Sequence, residues 1–134
     1  MKCLIVEDDS VSRELLRAFL KNHADCHTAR DGREAVEEFV DALDADQPYD
    51  LICMDIMMPD VSGRDALQAI RQIEAEHGIG GLDGVKVIMT TALDDSKDIL
   101  GSFREGCEAY VVKPIHKDKL FAEIEKLGLL SPSR

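Results

Sequence analysis

The chain has 134 residues, 45% hydrophobic, 32% charged and 4% aromatic, with a formal charge of -11 at pH 7 and a pI near 4.7. That length suits one domain with one core, and the acidic balance argues against a nucleic-acid surface and against anionic lipid. No stretch reaches the roughly 18 apolar residues of a membrane span, and the opening run Met1 to Val6 is too short for a signal peptide.

Two hydrophobic periods alternate along the chain. Cys3-Leu4-Ile5-Val6 predicts a first strand, ending at Glu7-Asp8-Asp9. Ser10 or Asp9 can then cap a helix whose apolar face is Val11, Leu15, Ala18 and Phe19. A weaker strand lies around Ala24 to Ala29, and Asp31 caps a second helix lined by Ala35, Val36, Phe39, Val40 and Leu43. Leu51-Ile52-Cys53-Met54 is a third strand, delivering Asp55 to its end. Ser62 caps a third helix with Leu67, Ile70 and Ile73 inward. His77 to Gly84 reads as a glycine-rich surface loop, because it leads into a strand and a phosphate cradle leads into a helix. The stretch Glu74 to Gly84 is expected to be a surface elaboration; a partner-specific contact is the alternative.

Val85 to Met89 predicts a fourth strand, ending at Thr90-Thr91-Ala92. Asp95 or Ser96 caps a fourth helix with Ile99, Leu100 and Phe103 on its apolar face. Ala109 to Val112 is the fifth strand, ending at Lys113-Pro114, and Leu120, Ile124 and Leu127 line the last helix. The expected domain is residues 1–130, with 131–134 a flexible tail. Five β–α units with near-continuous apolar strands predict an α/β fold, a parallel sheet doubly wound with helices on both faces. Cys3, Cys26, Cys53 and Cys107 are widely spaced without a C-x-x-C pair, which predicts free thiols in a reducing cytoplasm.

Ligands of doubly wound sheets bind beyond the carboxyl ends of the strands. There this chain places Glu7, Asp8, Asp9, Asp55, Thr90, Thr91 and Lys113. Each alone has an ordinary structural use: Asp8 and Asp9 as helix caps, Asp55 as a turn cap, Thr91 as a strand hydroxyl, Lys113 as a surface cation. Together they converge three or more carboxylates, which stay ionised together only if a cation shares the site. A hard divalent ion, Mg²⁺ above all, suits oxygen ligands.

These motifs, Leu4-Ile5-Val6-Glu7-Asp8-Asp9, Met54-Asp55-Ile56-Met57-Met58-Pro59 with Gly63, Met89-Thr90-Thr91-Ala92 and Tyr110-Val111-Val112-Lys113-Pro114, resemble the response-regulator receiver domains of bacterial two-component signalling. The resemblance covers residues 1 to 128 and implies a flavodoxin-like (βα)5 sandwich with a five-stranded parallel sheet of order 2-1-3-4-5. It implies that Asp55 is the phospho-acceptor, with Lys113 and Thr91 assisting. Asp8, Asp55 and the backbone carbonyl of Met57 would bind Mg²⁺ (Mn²⁺ as a substitute), with Glu7 acting through water. Thr91 and Tyr110 would be the switch pair. Pro59 and Gly63 would shape the loop after the acceptor, and a cis Lys113-Pro114 bond would aim the lysine. A sensor histidine kinase or phosphotransfer protein would supply the phosphoryl group. The product would reshape the face of the fourth helix, fifth strand and fifth helix for an unknown downstream protein. The chain would be a monomer or a weak switch-face dimer.

Met57 and Leu93 stand where the family tunes hydrolysis, and neither can orient a water, which predicts slow dephosphorylation. The expected protein is a switch rather than an enzyme, catalysing only its own phosphorylation and slow dephosphorylation. Two alternatives remain at this level. One is a receiver module from a larger hybrid kinase or multidomain regulator. The other is a phosphatase of haloacid-dehalogenase type, disfavoured because Met57 replaces the second aspartate that such enzymes carry two residues after the nucleophile.

Overall fold

The structure, a computed structural model, describes residues 1–80, 83–92 and 96–130 and the backbone but not the side chain of Ser96. The strands are β1 (Lys2–Val6), β2 (Asp25–Ala29), β3 (Leu51–Asp55), β4 (Lys86–Thr91) and β5 (Ala109–Val112). The helices are α1 (Ser10–Leu20), α2 (Gly32–Asp44), α3 (Gly63–Glu76), α4 (Ser96–Arg104) and α5 (Lys117–Lys126). All strand pairs are parallel, in the order β2-β1-β3-β4-β5. Asp55, Thr90 and Thr91 belong to their strands rather than following them.

Strand alternation sorts the core into two layers. Leu4, Val6, Ile52, Met54, Val87 and Met89 pack with Phe39 of α2 and Leu67 and Ile70 of α3. Cys3, Ile5, Leu51, Cys53, Ile88, Ala109 and Val111 pack with Leu16 and Leu20 of α1 and Leu120 and Ile124 of α5. The same alternation carried to the strand ends puts Glu7, Asp55, Thr90 and Lys113 on the α1/α5 face. It puts Thr91 and Tyr110 on the opposite face.

Local signals hold the helices where the strands require them. Asp9 Oδ2 accepts from the Ser12 N–H, Asp31 Oδ1 from the Glu34 N–H and Ser62 Oγ from the Asp65 N–H. For α4 the candidate Asp95 lies outside the described residues, as does the Ser96 side chain. Residues 131–134 also lie outside them. Gly78, with φ of +72°, turns the chain at the end of α3, where a side chain would be strained.

Two helix faces differ from expectation. In α1 the fully buried residues are Leu16 and Leu20, with Phe19 half-buried, whereas Val11 is 75% exposed and Leu15 and Ala18 also face solvent. This helix carries two apolar arcs, and the docking angle leaving the Asp9 cap decides which one meets the sheet. In α4, Ile99 is half-buried but Leu100 and Phe103 are exposed; Gly101 and Ser102 lie inward instead. The reason is Arg64, whose guanidinium lies so close to Gly101 that a Cβ there would collide with it. Arg64 also bonds Asp98 Oδ1 at 2.9 Å and Glu105 Oε1 at 2.7 Å, so α4 meets α3 through charge rather than through Leu100. The four cysteines are free, with Cys26 half-buried and the others buried.

Candidate functional site

The carboxyl ends of β1, β3, β4 and β5 bring the acidic residues to one rim. Glu7 extends β1, and its side chain is 1% exposed. Asp55 ends β3, nearly as buried, while Asp8 is exposed beside them. One carboxylate oxygen from each of Glu7, Asp8 and Asp55 lies within 4.8 Å of the others. Lys113 follows β5, its N–H bonded to the Thr91 carbonyl at 2.7 Å, and the Lys113-Pro114 peptide is cis. Its Nζ donates to Asp55 Oδ2 at 3.1 Å and sits 2.9 Å from Glu7 Oε2. The second contact is an ion pair without hydrogen-bond alignment, since Glu7 Oε2 has no aligned donor among the described residues.

One lysine therefore serves the Glu7 and Asp55 carboxylates, with Asp8 alongside, and the balance shows in the protonation of Glu7 and Lys113. Burial raises Glu7 to about 7, against the opposing pull of Lys113, and the Asp55 charge pushes the same way as burial. Burial lowers Lys113, but the attraction of Glu7 and Asp55 outweighs it and leaves the ammonium raised above its ordinary value. The donor set is all oxygen and negative, with a buried Glu7 oxygen lacking an aligned partner among the described residues. Those residues fit a divalent ion with oxygen ligands.

The loop after Asp55 is set by close packing. The Met57 N–H donates to Asp55 Oδ1 at 3.2 Å, and the Gly63 N–H to the Ile56 carbonyl at 2.9 Å. A Cβ on Gly63 would strike the Asp55 carbonyl, so only glycine lets α3 start directly beneath Asp55. Pro59 is exposed, and the Met57 side chain is 62% exposed at the mouth of the rim. Leu93 lies outside the described residues.

Thr91 is fully buried, its hydroxyl donating to the Ala92 carbonyl at 3.2 Å. Tyr110 is 40% exposed and meets Phe103 of α4 edge-on, the ring centroids 5.9 Å apart. Thr91 and Tyr110 therefore belong to the α4 side, while the acid cluster belongs to the α1/α5 side. A cavity of about 420 Å³ opens beside Tyr110, lined by residues that include Phe103, Lys119 and Glu123.

The structure adds two features. Thr90, which the sequence already places at its strand's end, is buried, directly in register with Asp55 and turned to the acid side. At the far edge of the sheet, Arg71, Glu74 and Glu108 form a second charged cluster. The Arg71/Glu74 spacing of i,i+3 was a usable signal for part of it; nothing local pointed to Glu108.

The model of the response regulator receiver domain matches residues 3–125. A hybrid signal transduction histidine kinase I of Dictyostelium discoideum is 35% identical over 92% of the chain, which spans 7% of that kinase. The chemotaxis protein CheY of Bacillus subtilis is 29% identical, covering 93% of this chain and 95% of its own. Among solved structures, the receiver domain of the Saccharomyces cerevisiae response regulator Ssk1, crystallised with the histidine phosphotransfer protein Ypd1, superposes with a TM-score of 0.81. It is 28% identical over 96% of this chain and 88% of that one.

Proposed function

This chain belongs to the response regulator receiver domain family, and we propose that Asp55 is its phospho-acceptor, charged by a phosphohistidine on a histidine kinase or phosphotransfer protein. One observation carries the proposal: the Lys113 ammonium is bonded to buried Asp55 within a cluster of carboxylates at the end of β3. An Asp55 oxygen attacks phosphorus in line; the P–N bond to the donor imidazole breaks and its electron pair stays on that nitrogen. Lys113 offsets negative charge on the transferring group. Asp8, Asp55 and the Met57 carbonyl would hold Mg²⁺ or Mn²⁺, with Glu7 reaching it through water. When bound, that ion supplies charge neutralisation at the phosphoryl oxygens.

The acyl phosphate adds close to two negative charges and three acceptor oxygens beside Thr91. Thr91 holds only a long bond to its neighbour's carbonyl, so it can turn round the strand end to the phosphoryl group. The space it leaves on the α4 side admits Tyr110, reshaping the α4–β5–α5 face for a downstream protein. The chain thus acts as a switch that catalyses its own phosphorylation and slow dephosphorylation, as a monomer or weak switch-face dimer. Exposed, apolar Met57 supports the slow loss of the group. The crystallised complex of the Ssk1 receiver with a phosphotransfer protein supports a donor of that class. Four free thiols support a cytoplasmic setting, and among the described residues no helix is long and apolar enough to cross a membrane.

A second reading, a receiver module within a longer hybrid kinase or regulator, is favoured by the short share of the hybrid kinase that this chain spans. Both readings share the test. Incubation with acetyl phosphate and Mg²⁺, followed by intact-mass measurement, should add one phosphoryl group to the wild type and none to Asp55→Ala. A wild type that gains nothing, or a gain that survives Asp55→Ala, overturns the acceptor assignment.

A further inference from the structure

Among the described residues two buried side-chain oxygens lack a hydrogen-bond partner, Glu7 Oε2 and Thr90 Oγ1. Glu7 at least has the Lys113 ammonium beside it. For the Thr90 hydroxyl neither a hydrogen bond nor an ion pair is found among the described residues, although it is completely buried. An unpaired buried hydroxyl destabilises a fold, and valine would fill the same volume without that penalty. Its position suggests what the hydroxyl is for. Thr90 pairs with Asp55 on one side and Val111 on the other, and paired residues in a parallel ladder project from the same face. Lys113 stands two residues beyond Val111 on that face. To reach Asp55 on β3 and Glu7 beyond it on β1, the lysine stem must cross β4, the strand that carries Thr90.

We propose that Thr90 is a second hydroxyl of the phosphorylated site, resting on the assignment of Asp55 as acceptor. In the unmodified protein Asp55 Oδ1 takes the Met57 N–H and Oδ2 takes Lys113. Phosphorylation draws the ammonium toward the new phosphoryl oxygens and away from the Asp55 carboxyl. The Thr90 hydroxyl then donates to the carboxyl oxygen that Lys113 has left, steadying the acyl phosphate. The hydroxyl is thus unpaired before phosphorylation and paired after it, so it favours the modified state selectively. This is distinct from Thr91, which reaches the site from the opposite face.

The test uses beryllofluoride with Mg²⁺ as a stable mimic of the aspartyl phosphate, its affinity read by calorimetry. Wild-type binding that Asp55→Asn abolishes establishes the acceptor site; absence of that dependence overturns the acceptor assignment and this inference with it. Given that binding, Thr90→Val should bind about fivefold more weakly, the worth of one ordinary hydrogen bond. Its unliganded melting temperature should be equal to or above that of the wild type, and Thr90→Ser should restore affinity. Unchanged affinity in Thr90→Val overturns the inference. So does a lowered unliganded melting temperature, which would mean that the hydroxyl is already paired, through water, in the resting protein.

Discussion

The two ends of the sheet each bury a charged cluster, and they are built to opposite ends. At the amino-terminal edge, Arg71 donates to Glu74 Oε1 at 2.7 Å, to Glu108 Oε1 at 3.1 Å and twice to the Gly106 carbonyl. Glu74 Oε2 accepts from the Val85 N–H at 2.7 Å and Glu108 Oε2 from the Val87 N–H at 2.6 Å. The carboxylates thus complete the backbone pairing of the strand start, and each partner is aligned. At the carboxyl-terminal edge one lysine serves Glu7 and Asp55 with exposed Asp8 alongside. There a glutamate oxygen has no aligned donor and Glu7 holds its proton up to about 7. The closed cluster is internally satisfied; the open one keeps unfilled valences, as the proposed phosphoryl site requires. Buried ion groups stabilise only when every member is satisfied, and that difference separates scaffold from site.

The contrast is sharpest if the cation of the closed end is removed. Arg71→Met should strand two carboxylates and cost about 3 kcal/mol, lowering the thermal midpoint by ~10 °C; a loss below a few degrees would show the cluster to be solvated. One identical substitution at the two ends should then give opposite signs. Glu74→Gln weakens a charge-assisted bond to Arg71 and should cost about 1.5 kcal/mol in a denaturant titration. Glu7→Gln removes an ill-satisfied charge and should leave the metal-free protein at pH 7.5 as stable or more so, by up to ~1 kcal/mol, while weakening Mg²⁺ binding.

Acidity offers a gentler probe of the same difference. Glu7 holds its proton more tightly folded than unfolded, so its contribution to stability is full below pH 4.5 and is lost as pH rises through about 7. With chelator present, the wild type should therefore lose stability across that window relative to Glu7→Gln; parallel pH curves for the two proteins would contradict it. The smallest expected effect concerns the mouth of the open end. Met57→Asn can orient a water where methionine cannot, and should shorten the phosphoryl lifetime by about threefold, ~0.6 kcal/mol in the barrier. A lifetime indistinguishable from the wild type would remove Met57 from the hydrolysis argument.

Most of the frame was legible before folding. Runs such as Leu51 to Met54 are apolar without alternation because both sides of the strand are covered, and Asp9, Asp31 and Ser62 announce their helices by local hydrogen bonding. The acid residues at strand ends were visible because the strand-end rule turns position in the chain into position in space. What failed was orientation. Val11 and Leu15 have the spacing of a core stripe, yet Leu16 and Leu20 are the residues that meet the sheet. In α4, Leu100 and Phe103 yield the inner face to Gly101 and Ser102 because Arg64 occupies the gap between helices.

The sequence by itself determined the alternation of elements, the caps of the first three helices, and which carboxylates, hydroxyls and lysine would stand at the carboxyl rim. These depend on neighbours a few residues away, and short-range chemistry is written directly in the chain. Only the tertiary structure decided which arc of α1 and α4 is buried, that Glu108 completes a cluster with Arg71 at 37 residues' remove, and that Thr90 stands in register beside Asp55. Those are outcomes of packing between distant segments, where docking angle and strand register select among several locally equivalent arrangements.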